Sequence, residues 1–107
     1  MISPDIVTHI ADAPEPLRGR ETWQEGVELM KRAFPDLEAR IEDVVAAEEK
    51  VAIRVTYRGM HAGDFQDIPA TGRAVEFVSH EFYCLEDGLI VEEWLCSDTA
   101  SLLRQLG

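Results

Sequence analysis

The alternation of apolar and polar residues in the second half of the chain constrains its fold more than any other feature. Residues 37–42 and 51–58 alternate regularly, which predicts two strands that each bury one face. The phase slips around Asp43-Val44, which indicates a bulge at that point. Residues 74–85 and 89–97 predict two further strands. Four strands in this order favour two successive β-hairpins.

An amphipathic helix is predicted ahead of the hairpins, from Glu21 to Phe34. Its apolar residues recur at intervals of four, three and four, which is the spacing of one helical stripe. Pro35 ends the helix, because a proline disfavours the helical conformation of the residue before it. The stripe either packs into the core or lines a ligand cavity. Its members are Trp23, Val27, Met30 and Phe34.

The two ends of the chain are predicted to be a short extended segment and a short helix. The segment Asp5–Ile10 leads into a loop rich in proline. At the other end, Asp98 is the expected N-cap of a helix with three inward-facing leucines, Leu102, Leu103 and Leu106. Consecutive hairpins after a helix predict a single antiparallel α+β domain.

Composition and cysteine placement exclude several classes of function. The chain has 10 basic and 21 acidic residues and a net charge of −11, so we expect neither a nucleic-acid partner nor a membrane partner. His9, His61 and His80 lie on separate elements, and no glycine-rich phosphate loop precedes a helix. We therefore expect no metal and no cofactor. Cys84 and Cys96 are too far out of step on paired strands to form a disulfide, which predicts free thiols and a cytoplasmic location.

The turn of the last hairpin decides which side chains meet. A two-residue turn at Asp87-Gly88 would place Glu81 opposite Trp94, whereas a three-residue loop ending at Gly88 would place it opposite Glu93. The two registers send opposite sets of side chains to the core, because a slip of one residue exchanges the faces of a strand. Both registers remain open from the local sequence.

In the second register, one face of the hairpin is apolar with two carboxylates in its middle, Glu81 and Glu93. If that face is buried, both cannot stay ionised, so one keeps its proton above its ordinary pKa. A paired acid and base in an apolar cavity can transfer protons. Alternatively, the face is partly wet, and both residues are ordinary surface glutamates of an acidic protein.

Several segments together carry a family resemblance. They are Pro4–Val7, Arg32–Leu37, Arg58–Phe65, Ile68–Phe77 and Glu86–Trp94, followed by Asp98 and Leu102–Gly107. In these segments the chain resembles the SnoaL-like polyketide cyclases and ester cyclases of the nuclear-transport-factor-two-like superfamily. The resemblance implies one domain, residues 1–107, in which a curved antiparallel sheet wraps around helices and encloses a cone-shaped pocket.

The resemblance also bears on the N-terminus and on assembly. Members of the family usually begin with a further helix that helps to close the cone. This chain begins after that helix, so it is expected to be shortened or to have part of its pocket wall supplied by a partner. An exposed cone interior would be an apolar patch, which a second copy would cover. A homodimer or larger homo-oligomer is therefore expected.

The resemblance further locates the positions at which the family acts on its substrate. In SnoaL-type cyclases an Asn, a His and an Asp take part, with the Asp as general acid/base for an intramolecular aldol closure. The Asn position falls at Thr8 or His9, the His position at Glu81 and the Asp position at Leu95. Leucine cannot transfer a proton, so the chain departs from the family's mechanism. The resemblance favours the three-residue loop, which brings positions 81 and 95 to one face.

Two hypotheses of function follow. In the first, the chain is a cofactor-free enzyme of cyclase, isomerase or hydrolase type that acts on a small hydrophobic molecule by isomerisation, cyclisation or water addition. Glu81 and Glu93 are the expected acid and base, and Tyr83 is a hydrogen-bond donor. In the second, the same fold is a non-catalytic ligand-binding or oligomer-assembly module. The residues expected to bind the ligand are Thr8, His9, Trp23, Tyr57, Phe65, Phe77 and Leu95.

Overall fold

Six strands and two helices make up the computed structural model, which describes residues 1–107. In chain order they are β1 Ile2–Ile10, β2 Leu17–Arg18, α1 Arg20–Ala33, β3 Glu38–Ala47, β4 Lys50–Met60, β5 Ala74–Glu86, β6 Leu89–Ser97 and α2 Thr99–Leu106. This order confirms the predicted succession of a strand, a helix, two hairpins and a short helix. The two-residue strand β2 was not predicted.

The strands form one sheet in the order β2-β1-β6-β5-β4-β3. Neighbouring strands are antiparallel except for β1 and β6, which run parallel. The sheet is therefore mixed, which corrects the expectation of a purely antiparallel sheet and agrees with the α+β class. Strand β1 also begins earlier than predicted, because Ile2 pairs with Ile90 of β6.

The C-terminal end of α1 is held by the loop that follows β4. Both Ala62 and Gly63 donate backbone hydrogen bonds to the carbonyl oxygen of Ala33, at 3.0 and 3.1 Å. These bonds satisfy an acceptor that the end of a helix leaves unpaired. A Cβ atom at Gly63 would lie 2.1 Å from the carbonyl oxygen of Arg32, so only glycine fits this close approach.

The same loop plugs one end of the core, as its apolar residues predict. Phe65 packs against Phe34 with ring centroids 5.6 Å apart, and Ile68 contacts the same cluster. His61 is fully buried, and its Nδ1 accepts a hydrogen bond from the backbone N–H of Thr71 at 3.1 Å. His61 therefore ties the two ends of the loop together and is a structural residue.

Both helices pack on one side of the sheet, which we call the inner face; the opposite side is the outer face. The core between helices and sheet consists of Ala33, Phe34, Val75, Phe77, Leu102 and Leu106. Asp98 is the N-cap of α2, as predicted, and accepts a hydrogen bond from the backbone N–H of Ser101 at 3.1 Å. Leu103 is 37% exposed, so the expectation that it faces inward was wrong. Neither helix is long and apolar enough to cross a membrane.

Candidate functional site

The hairpin of β5 and β6 follows neither predicted register along its whole length. Its turn has two residues, Asp87 and Gly88, with φ angles of 52° and 79° that place Glu86 opposite Leu89. Positive φ at both central residues is the requirement of a type I′ turn. Val91 is then an extra residue in β6, because Leu85 pairs with Ile90 whereas Cys84 pairs with Glu92.

This bulge decides which side chains share the inner face. Beyond Val91, Tyr83 lies opposite Glu93 and Glu81 lies opposite Leu95. Glu81 and Glu93 therefore share one face, as the three-residue loop predicted, although the loop itself was wrong. The expectation that the two glutamates lie directly opposite each other was also wrong, because the bulge shifts them to diagonal positions. Diagonal neighbours on a sheet remain within reach of long side chains.

Both carboxyl groups are buried on the inner face, with Glu81 5% exposed and Glu93 3% exposed. Tyr57 on β4 donates its hydroxyl proton to Oε2 of Glu81 at 2.8 Å. Tyr83, on the same strand as Glu81, donates to Oε1 of that carboxylate. The alternative that both glutamates are ordinary surface residues is therefore wrong.

Glu93 lies in a poorer hydrogen-bonding environment than Glu81. Thr8 on β1 donates its hydroxyl proton to Oε1 of Glu93 at 3.0 Å. Burial raises the pKa of Glu93, and the negative charge of Glu81 raises it further. Thr8 and the nearby Trp23 of α1 act in the opposite direction on this pKa, but they do not outweigh burial.

No cationic side chain neutralises the pair. The four ion pairs of the chain lie elsewhere and join His9 to Glu92, Arg40 to Glu42, Arg54 to Asp43 and Arg58 to Glu76. With no cation beside it, the pKa of Glu93 stays raised by burial, so this group keeps its proton to a higher pH than an isolated glutamate. Burial raises the pKa of Tyr57 and of Tyr83, so both phenols stay protonated and donate.

The structure brings together most of the residues that were expected to form the site. Tyr57, Tyr83 and Thr8 bond directly to the two carboxyl groups, Trp23 lies beside Glu93, and Leu95 lies opposite Glu81. Sequence reasoning left Thr8 and His9 as alternatives at one position. The structure places Thr8 at the pair.

Three of the expected ligand-binding residues lie elsewhere. His9 is on the outer face, where its ring stacks on Trp94 at 5.1 Å and its Nε2 lies 2.6 Å from Oε2 of Glu92. It points away from the pair because adjacent residues of a strand face opposite sides. Phe77 is buried in the core against the ring of Tyr57, and Phe65 belongs to the loop that packs on Phe34.

Sequence reasoning missed two apolar neighbours of the pair, Ile10 and Ile53. They complete a row across four strands, in which Ile53, Glu81, Leu95 and Ile10 are successive partners. The alternation in β4 already indicated that Ile53 faces the core. Ile10 enters the row through the parallel pairing of β1 with β6, which no local sequence pattern indicates. Ser79 and Ser97 lie one step further along the same face, with their hydroxyl oxygens 2.9 Å apart.

A family model and solved structures match this chain over nearly its whole length. The family model described as SnoaL-like polyketide cyclase matches residues 1–106. A proposed SnoaL-like polyketide cyclase from Jannaschia sp. CCS1 superposes with a TM-score of 0.92 at 20% identity, over 98% of this chain and 72% of the other. At that identity the match shows the fold alone. A search of curated proteins found no match.

Two structures of Streptomyces proteins are more similar in sequence. IdmH from Streptomyces antibioticus, a proposed polyketide cyclase, is 36% identical with a TM-score of 0.84, over 100% of this chain and 82% of the other. AclR from Streptomyces galilaeus, a proposed hydroxylase, is 32% identical with a TM-score of 0.88, over 99% of this chain and 77% of the other. Together with the family model, these matches show that the chain belongs to the SnoaL-like polyketide cyclase family.

Proposed function

We propose that this protein binds a small hydrophobic molecule on the inner face of its sheet and catalyses proton transfer there without a cofactor. Isomerisation, cyclisation and water addition all fit such a site. Membership of the SnoaL-like polyketide cyclase family favours cyclisation of a polyketide-like substrate. The observation that carries the proposal is the buried pair Glu81 and Glu93, whose two carboxyl groups have different surroundings.

The different surroundings suit the two carboxyl groups to different roles. Glu93 has a raised pKa and accepts one hydroxyl hydrogen bond, so it is suited to give a proton to a substrate oxygen. Glu81 receives two hydroxyl hydrogen bonds and is suited to take a proton from carbon as a carboxylate. Pairs of acids whose environments separate their pKa values are a recurrent arrangement in acid–base enzymes.

A ring closure at this site needs only these two proton movements. Glu81 removes a proton from the carbon beside a substrate carbonyl, and the electron pair of that C–H bond attacks a second carbonyl carbon of the same molecule. The C=O π bond of the second carbonyl breaks, and its oxygen receives the proton of Glu93. Glu81 ends protonated and Glu93 ionised, so exchange with water resets the pair before the next turnover.

This assignment moves the acid–base group along the strand relative to the family pattern. The resemblance places the family's aspartate at Leu95, which lies directly opposite Glu81. Glu93 is two residues earlier on the same strand and faces the same side of the sheet. A carboxyl group is therefore still present on the inner face, beside the position that leucine occupies.

Deuterium exchange into 2-tetralone tests the proposal, because exchange beside its carbonyl is the first half of the ring closure. We expect the protein to accelerate exchange in D₂O, followed by proton NMR. Glu81→Gln should slow it by about 100-fold, the usual contribution of a general base, because Glu81 takes the proton from carbon. Glu86→Gln is the matched control, because Glu86 is an exposed glutamate at the end of the same hairpin.

The alternative is a non-catalytic binding module, and Leu95 at the family's aspartate position is the observation that favours it. This alternative predicts that 2-tetralone perturbs the NMR signals of inner-face residues while its exchange stays at the buffer rate. If the wild-type protein binds 2-tetralone in this way but its exchange stays at the buffer rate, the enzyme proposal is wrong and the chain is a binding module.

A further inference from the structure

The hydrogen bonds to the two buried carboxyl groups are unequal in number and in origin. Glu81 accepts from a phenol on each of its oxygens, from Tyr57 at 2.8 Å and from Tyr83. Glu93 accepts from the single hydroxyl of Thr8 at 3.0 Å. Hydrogen bonds donated to a carboxylate favour its ionised form, and those from two phenols in a buried site favour it more than one from an alcohol.

We propose that Tyr57 is a positioning residue that, together with Tyr83, holds Glu81 as the carboxylate of the pair, so that the proton shared by the two acids stays on Glu93. The proposal rests on the proposed function, because it concerns the same two carboxyl groups. It explains why Glu81 acts as the base and Glu93 as the acid, and it attributes this difference to Tyr57, which is not itself one of the two acids.

Tyr57 is better placed than Tyr83 for this role because the core fixes its ring. Its ring packs against Phe77 at 5.3 Å, and Phe77 is buried among core residues. Tyr57 also reaches Glu81 from a different strand, β4, so its hydroxyl restrains the carboxylate across the sheet. Tyr83 belongs to the same strand as Glu81 and lies opposite Glu93, closer to the second acid of the pair.

No cationic group competes with the two neutral phenols for this role. The titratable groups facing the pair are Tyr57 from β4, Tyr83 from β5, and the two acids themselves. Strand β1 and helix α1 contribute the uncharged Thr8 and Trp23. The arginines of the neighbouring strand β4 bond to acids outside the pair. The position of the shared proton is therefore set by uncharged donors, of which the hydroxyl groups of Tyr57, Tyr83 and Thr8 bond directly to the two acids.

Carbon-13 NMR of the glutamate carboxyl groups tests the proposal in the substrate-free protein. The Glu81 and Glu93 signals are assigned with Glu81→Gln and Glu93→Gln, and each is followed through a pH titration. In the wild-type protein we expect Glu81 to ionise first and Glu93 last. Tyr57→Phe keeps the ring that packs on Phe77 but removes the hydroxyl, so it should bring the two midpoints closer by at least about half a pH unit.

Thr8→Val is the matched control, because it removes the hydroxyl that favours the ionised form of Glu93. It should move the two midpoints further apart, whereas a general loosening of the site would shift both variants in the same direction. If Tyr57→Phe does not fold, Tyr83→Phe removes the other phenol and should narrow the gap in the same way.

Two results would overturn the proposal. One is an unchanged pair of titrations in a folded tyrosine variant, and the other is Glu81 ionising last in the wild-type protein. Neither result depends on turnover. Loss of deuterium exchange in Glu81→Gln would still support the proposed function. If the tyrosine effect is found but the wild-type protein does not accelerate exchange, the proposed function is refuted and the role of Tyr57 in placing the proton is not.

Discussion

Thr8 and Glu93 are direct partners on the parallel strands β1 and β6, and the Thr8 hydroxyl donates to the Glu93 carboxyl group at 3.0 Å. The parallel pairing therefore supplies the only side-chain hydroxyl that bonds to this acid. The next residue of β1, His9, points to the outer face and bonds to Glu92. One residue of shift between the two strands would leave Glu93 without Thr8.

Glu93→Gln should stabilise the protein in a pH-dependent manner. The pKa of Glu93 is raised in the folded state, mainly by burial, so the folded state binds the proton more tightly than the unfolded state. Stability therefore falls as pH rises from the unfolded pKa through the raised folded pKa. Glutamine carries no such cost, so the variant should have a higher free energy of unfolding than the wild-type protein at mildly alkaline pH.

Urea unfolding at a series of pH values measures this difference. The gain of Glu93→Gln should disappear below the pKa of an unfolded glutamate, where both states are protonated. Glu86→Gln, at an exposed position, should show no comparable pH-dependent gain. Parallel stability curves for wild type and Glu93→Gln would contradict the raised pKa.

The elements and their faces could be predicted from the sequence because they follow local periods. The stripe of α1 and the alternation of β4 and β5 gave helix and strand bounds close to those observed. The bulge predicted around Asp43 in β3 lies at Glu42, whose carboxylate accepts a hydrogen bond from Thr56 at 2.7 Å. A bulge of this kind can be predicted from the sequence when it interrupts the alternation of apolar and polar residues.

The parts that could not be predicted depend on contacts between distant residues. The bulge at Val91 leaves no slip in the pattern, because Ile90 and Val91 are both apolar. The parallel pairing of β1 with β6 joins the two ends of the chain, and no local period reports it. The choice between Thr8 and His9 depended on that pairing, which is why the sequence left it open.

Gly63→Ala should destabilise the fold by about 2–3 kcal/mol, within the range of strongly disruptive single substitutions. The added methyl group would lie 2.1 Å from the backbone carbonyl oxygen of Arg32, and backbone cannot move aside as a flexible side chain can. The loop would have to leave the end of α1, with loss of the bonds to Ala33. Thermal unfolding followed by circular dichroism measures the change.

Gly26→Ala is the matched control for that substitution. Gly26 lies within α1, and apart from the backbone of the helix itself and the adjacent residues no heavy atom lies within 4 Å of the position of an added Cβ. Alanine there should raise the free energy of unfolding by about 0.5–1 kcal/mol through helix propensity alone. Equal effects of the two substitutions would refute the close approach at Gly63.

The family resemblance led us to expect a homo-oligomer that covers the cone interior; we propose instead that a second copy of the chain binds to the outer face. A groove of about 580 Å³ crosses it behind Glu81, and its lining includes Phe82, Trp94, Arg54 and His80. Phe82 is 50% exposed and Trp94 is 38% exposed. In a twofold dimer, the exposed aromatic side chains of each copy can pack against the groove of the other.

Phe82→Lys tests this dimer, because a buried lysine without a partner would prevent the two outer faces from meeting. Light scattering should give the wild-type protein about twice the chain mass of 12.0 kDa, and the variant the mass of one chain. Leu29→Lys is the control, since Leu29 is 58% exposed but lies on α1, on the other side of the sheet. It should keep the wild-type mass. A monomeric wild-type protein, or a dimeric Phe82→Lys variant, would exclude the outer face as the interface.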